Sequence, residues 1–144
     1  MEEEAKISEE NHQYIISKID HLLIKEKEIT KNDNAIFVKL DSKINYVVGE
    51  KTVIVSFFEG HIHFDKSLYE KDFLNSAIDF IEMLLTEQLK IEKIYKGKKL
   101  KYTKTFALKN NHYEMIDKNI FLSFYFLNPF LIIREETQYW KYRE

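Results

Sequence analysis

Between Asp72 and Tyr95 apolar residues recur at helical spacing, and on both sides of that stretch the spacing changes to the period of two that strands require. Phe73, Leu74, Ala77, Ile78, Ile81, Leu84, Leu85, Gln88 and Leu89 make one broad stripe, so a long amphipathic helix is predicted there, with Gly97 placed to end it. Upstream, β-branched and aromatic runs over 35–40, 44–48, 52–58 and 61–64 alternate with turn residues and predict an antiparallel meander. Val48-Gly49-Glu50-Lys51 and Phe58-Glu59-Gly60-His61 read as tight turns in which glycine supplies the positive φ. Downstream, 100–108, 112–116, 120–127 and 130–134 predict a second strand block, with Asn110-Asn111, Lys118-Asn119 and Asn128-Pro129 as turns. The last ten residues read as a final strand or a short helix.

At the other end, Ser8 is placed to cap a first helix carrying Tyr14, Ile15, Ile19, Leu22 and Leu23, and Lys31-Asn32-Asp33-Asn34 to stop it. Helices and strands therefore come in separate blocks. That order predicts an α+β fold: N-terminal helix, antiparallel meander, long amphipathic helix and a second antiparallel block, with the helices on one face of the sheet. A doubly wound fold would need single strands alternating with helices, and a glycine-rich turn after the first.

With 144 residues, 44% of them hydrophobic, the chain can hold a core without staples, and one domain over 1–144 is expected. Absence of cysteine removes disulfides, thiolate metal sites and cysteine nucleophiles, and fits a reducing, cytoplasmic setting. No secretion signal is read, and the longest apolar stretch, 120–133, is broken by Ser123, Asn128 and Pro129, so no membrane span is expected.

The formal net charge of −2 is unevenly spread. Residues 89–109 hold eight lysines against one acid, among them Lys96, Lys99 and Lys101, interleaved with Tyr95, Tyr102 and Phe106. Basic residues among aromatics can serve a single-stranded nucleic acid, but the acidic total and the division of the lysines between strand faces rank nucleic acid last. A lysine-protected edge strand explains the same residues, and an acidic protein partner comes before nucleic acid. Tyr139, Trp140 and Tyr142 crowd the C-terminal tail, and such residues anchor protein interfaces. Lys96, Lys99, Lys101, Tyr139, Trp140 and Tyr142 are accordingly the candidate partner-binding residues, packing of the tail onto the sheet being the competing account.

Chemistry-bearing motifs are sparse. His61, His63 and Asp65 alternate, which on a strand puts all three on one face and offers two imidazoles and a carboxylate to a zinc or iron ion. The same pattern arises when Ile62 and Phe64 face the core and the polar residues face water, and only a further ligand such as His112 would make the site strong. Asp79, Glu82 and Glu87 lie along the long helix, where a solvated edge accounts for them. There is no phosphate loop, dinucleotide fingerprint, nucleophile elbow or His-Glu-x-x-His pattern. No catalytic residue, metal or cofactor is assigned.

In its size, its lack of cysteine, its Lys/Ile/Asn/Tyr-rich composition and its element order, with Gly60-His61-Ile62-His63-Phe64-Asp65 closing the meander before the long helix, the chain resembles the immunity proteins of bacterial polymorphic toxin systems. That resemblance implies a cytosolic protein that binds and neutralises a cognate toxin, and it carries over no individual residue. Helix, strands, helix, strands also resembles the small acidic dimeric secretion chaperones, which implies a client-holding homodimer. A small metal-dependent enzyme built on His61, His63 and Asp65 is the third reading.

Overall fold

The computed structural model describes residues 2–69 and 72–143, in two compact units, one ending at Leu85 and the other beginning at Thr86. The first contains helix α1 (Glu2–Ile19), a 3-10 turn (Asp20–Leu22), strands β1 (Glu28–Lys31), β2 (Ile36–Lys39), β3 (Ile44–Val48), β4 (Thr52–Phe57) and β5 (Gly60–Asp65), then helices α2 (Lys66–Tyr69) and α3 (Phe73–Thr86). Its strands form an antiparallel meander in the order β1-β2-β3-β4-β5. The second unit contains β6 (Leu89–Lys96), β7 (Lys99–Lys109), β8 (His112–Ile120), a 3-10 turn (Phe124–Leu127) and β9 (Ile133–Trp140), an antiparallel sheet in the order β8-β7-β6-β9. The α+β class predicted from the blocks is the class observed.

Alternation decides the meander. Val38 pairs with Tyr46, Tyr46 with Val55 and Val55 with Ile62, so one face of the sheet collects Ile36, Val38, Ile44, Tyr46, Val48, Val53, Val55 and Phe57, all buried. Helix α3 buries Phe73, Ala77, Ile78, Ile81, Leu84 and Leu85, and its Phe80 ring packs 5.3 Å from Phe57 and 5.8 Å from Phe64. Helix α1 presents a narrower seam, Ser8, His12, Ile15 and Ile19, spaced four, three and four. Half of that seam is polar and is hydrogen-bonded: Ser8 Oγ donates to the Asn34 carbonyl at 2.7 Å, and His12 Nδ1 and the buried Tyr46 hydroxyl share a bond of 3.2 Å. Beside it, Asn11 Nδ2 donates to the Gly49 and Glu50 carbonyls of the β3–β4 turn.

Several local expectations are corrected. Ser8 is not a cap, because α1 is already helical from Glu2 and the hydroxyl is spent on Asn34. Helix α1 stops at Ile19, well before Lys31-Asn32-Asp33-Asn34, and the intervening chain forms β1, an edge strand with no buried residue. The long helix ends at Thr86 rather than near Tyr95, since Leu89–Lys96 is claimed by pairing on both sides, with β7 and with β9. Gly97 therefore sits in the β6–β7 hairpin loop, where its φ of 63° is what the turn demands. In the β4–β5 turn the positive φ falls on Phe58 (53°), not on Gly60, and Gly49 is not in the left-handed region either. Asn110 and Asn111 do turn, at φ of 50° and 67°. Lys118-Asn119 lies inside β8, the apolar residues 121–127 are not a strand, and the tail is one, namely β9. The side chains of Phe124 and Tyr125 are outside the described residues.

Two predictions follow from this packing. Leu84 is fully buried, so Leu84→Ala should lower unfolding stability by about 2–5 kcal/mol through lost transfer energy and the cavity left behind; an unchanged denaturant midpoint with unchanged slope would place this face in solvent.

Burial lowers the His12 pKa, the native state favouring the neutral ring. Below the ordinary histidine value the unfolded chain then binds more protons than the folded one, so stability is full above about pH 6.5 and falls on acidification from there. Asp41 loses stability only lower down. Burial raises its pKa, but the Lys25 ammonium and the Lys43 amide outweigh that and leave it below the usual carboxylate range. Denaturation midpoints of the wild type should therefore drop between pH 7 and pH 5, and His12→Gln should flatten that slope; equal slopes would remove His12 as the cause.

Candidate functional site

All six candidate partner-binding residues lie in the second unit, and β6 arranges them. Lys90 of β6 stands opposite Phe106 of β7 and Tyr139 of β9, and Phe106 stands opposite Met115 of β8. Residues directly opposite share a sheet face, so one face carries Lys90, Glu92 and Ile94, then Tyr102, Lys104, Phe106 and Leu108, then Tyr113, Met115, Lys118 and Ile120, then Glu135, Thr137 and Tyr139. The other face carries Leu89, Ile91, Thr103, Thr105 and Ala107, all buried.

On the first face the cations lie against rings. The Lys90 ammonium is 4.5 Å from the Phe106 ring centroid and 4.8 Å from that of Tyr113, which is itself 6.0 Å from Tyr139. Lys104 and Lys118, directly opposite one another, sit 5.5 and 5.3 Å from the Tyr102 ring. At the end of the sheet Arg134 lies 4.5 Å from Tyr95.

The tail aromatics are divided. Tyr139 joins the aromatic and lysine face, 59% exposed. Trp140 belongs to the opposite face, where it pairs with Leu89, and its ring is 6.4 Å from Tyr142, which is buried. Lys96 and Lys99 pair across the β6–β7 hairpin, and Lys101 falls at the register shift on β7. The structure thus gathers Lys96 and Lys99 at the hairpin end, puts Tyr139 on a sheet face, and turns Trp140 and Tyr142 away from it.

Sequence reasoning missed what stands beside the hairpin. Strands β8 and β9 lie at opposite edges of the sheet, so the chain between them must cross its width at the hairpin end. The Gly97 amide donates to the Ile132 carbonyl at 2.8 Å and the Lys96 ammonium donates to the Phe126 carbonyl, which tie the crossover down. Several of its apolar side chains stand in solvent: Leu122 is 92% exposed, Phe130 91% and Ile132 80%, with Leu127 and Ile133 also exposed. Phe130, Leu131 and Ile132 line an open groove of about 450 Å³ with Gly97, Lys98 and Arg134. The available signal was the apolar run interrupted by Asn128-Pro129, which marks a chain that turns without entering a sheet.

His61 and His63 are exposed on β5 with ring centroids 5.2 Å apart, as the alternation predicts, and Asp65 accepts a hydrogen bond from Thr52 Oγ1 at 2.7 Å. Among the described residues no group of three histidine, aspartate or glutamate side chains converges on a metal-sized space. His112 bonds Glu114 on β8, at 3.2 Å, and Asp79 faces solvent on α3. Among the described residues no helix is long and apolar enough to cross a membrane. Comparison with protein-family models, with curated proteins and with solved structures finds no match.

Two imidazoles without a third ligand hold a transition metal weakly. Elemental analysis of the purified protein should give far less than one zinc or iron per chain, and a stoichiometric metal lost in His63→Ala would contradict this.

Proposed function

We propose that this chain is a non-catalytic protein-binding module whose partner is a toxin domain that it neutralises, the role implied by the resemblance to immunity proteins. The observation supporting protein binding is the exposed apolar crossover beside a basic hairpin. Contiguous apolar surface of this kind is uncommon on a monomer unless it serves an interaction. Phe130, Leu131 and Ile132 provide an apolar centre in one groove with Lys98 and Arg134, and Lys96 and Lys99 pair across the adjoining hairpin, so apolar side chains meet a polar rim as in a protein interface. The rim is cationic and steers an acidic partner.

One observation favours the chaperone-like alternative: among the described residues no strand pairs with the outer edge of β9, and an extended client could add there. Stoichiometry separates the two, an equimolar folded complex against a dimer holding an unfolded segment.

The test is affinity capture from the source cells followed by rebinding of the purified partner. Phe130→Ala should raise the dissociation rate, by about 2 kcal/mol of lost anchoring or roughly thirtyfold. Charge reversal at Lys98 and Lys99 should slow association and flatten its salt dependence with little effect on dissociation. Co-expression should abolish the partner's toxicity. Rebinding at wild-type rates by both variants would sink the assignment of this surface, and a partner with no toxic effect would sink the neutralising role.

A further inference from the structure

A second surface of the same unit points elsewhere. We propose that the half-exposed side of the β8-β7-β6-β9 sheet, opposite buried Leu89, Ile91, Thr103, Thr105 and Ala107, binds single-stranded nucleic acid, with Tyr102, Phe106 and Tyr113 as stacking platforms and Lys90, Lys104 and Lys118 as phosphate contacts. This goes beyond the protein-binding reading and uses different residues.

Tyr102, Lys104 and Phe106 occupy alternate positions of β7 and so share a face, with a lysine between two rings about 13 Å apart at the usual rise per strand residue. Across the β7–β8 pairing, Lys118 stands opposite Lys104 and Tyr113 stands beside Phe106. On β7 and β8 this face carries no carboxylate. Like charges directly opposite destabilise a sheet, so the Lys104 and Lys118 pair is a position that an anion would relieve. The single acid nearby is Glu92, opposite Lys104 on β6, and its carboxylate lies 3.4 Å from Lys90; Glu135 is farther off, on edge strand β9. Each lysine rests against a ring, at 4.5 to 5.5 Å, which brings the charge that meets a phosphate and the π-face that meets a base to one place.

Single strands fit better than duplex. The face is a sheet surface that offers rings, and the bases of a duplex are already stacked on each other and closed to them. An acidic peptide would use the lysines and leave the rings without a role. The chain's acidic total is no objection, because the second unit holds twelve basic residues against seven acidic, and the first ten against seventeen.

Fluorescence anisotropy of the full chain with labelled twelve-residue oligothymidylate and oligouridylate tests this. Binding at low salt should weaken as salt rises, with a log–log slope of about 2 for three phosphates on a single strand. Tyr102→Leu and Phe106→Leu keep the strand apolar but cannot stack, and each should weaken binding about tenfold with thermal unfolding unchanged. Lys104→Gln should reduce the slope by about 0.7. No binding at low salt would overturn the proposal. So would binding unchanged in the leucine double variant, or displacement by polyglutamate as effective as displacement by oligothymidylate, which would assign the face to an acidic protein instead.

Discussion

The pairing of β9 with β6 is the constraint on which the second unit depends. Strand β6 is interior and antiparallel to both neighbours, β7 through a two-residue hairpin and β9 through a connection some forty residues away in sequence. Because β8 closes the far edge, that connection has to span three interstrand spacings, about 14 Å, before β9 can begin opposite Lys96. A segment crossing the strands at their ends cannot join the ladder it crosses. Leu122, Leu127, Phe130 and Ile132 are thereby kept out of the sheet and left in solvent, although their composition suits a strand.

This is also where the sequence was least legible. In the first unit each of β2, β3 and β4 buries alternate residues, so the period of two was decisive and their ends were read to within a residue or two. At Leu89–Lys96 the apolar residues are Leu89, Ile91 and Ile94, a spacing that suits a continued helix as well as a strand, and long-range pairing settles it. Strand β1, four exposed residues with a charge at each end, has no apolar face to announce it. The basic stretch was visible as composition. Its apolar neighbour and its partition between a hairpin end and a sheet face were not, since both follow from which strands are adjacent.

A similar limit applies to α1. Its seam holds two apolar residues and two polar ones, and a reading by hydrophobic period selects Tyr14 and Leu22, which are not buried. What attaches this helix is the satisfaction of polar groups by others far along the chain: Ser8 by Asn34, His12 by Tyr46, and the carbonyls at 49 and 50 by Asn11. Among the described residues no buried side-chain polar atom lacks a partner. An unsatisfied group in such a place is costly, so the register between α1 and the sheet is set more sharply by these bonds than by Ile15 and Ile19 alone.

Net charge is the quantity most easily misread in a chain of this kind. A total of −2 suggests indifference to polyanions, yet it is the small remainder of an excess of seven negative charges in the first unit and five positive in the second. Exposed charges act on a partner over about one Debye length, roughly 8 Å at physiological ionic strength, so a bound segment senses the lysines under it far more than any charge beyond that range. What a surface can bind is therefore governed by its local charge and by what lies between the charges. At the hairpin end that is exposed aliphatic and aromatic side chains, and on the β7–β8 face it is aromatic rings 4.5 to 5.5 Å from ammonium groups. The same lysine-rich stretch thus supplies two surfaces of different chemistry, an apolar patch with a cationic rim suited to a folded acidic protein and an array of rings and cations suited to an extended polyanion with bases.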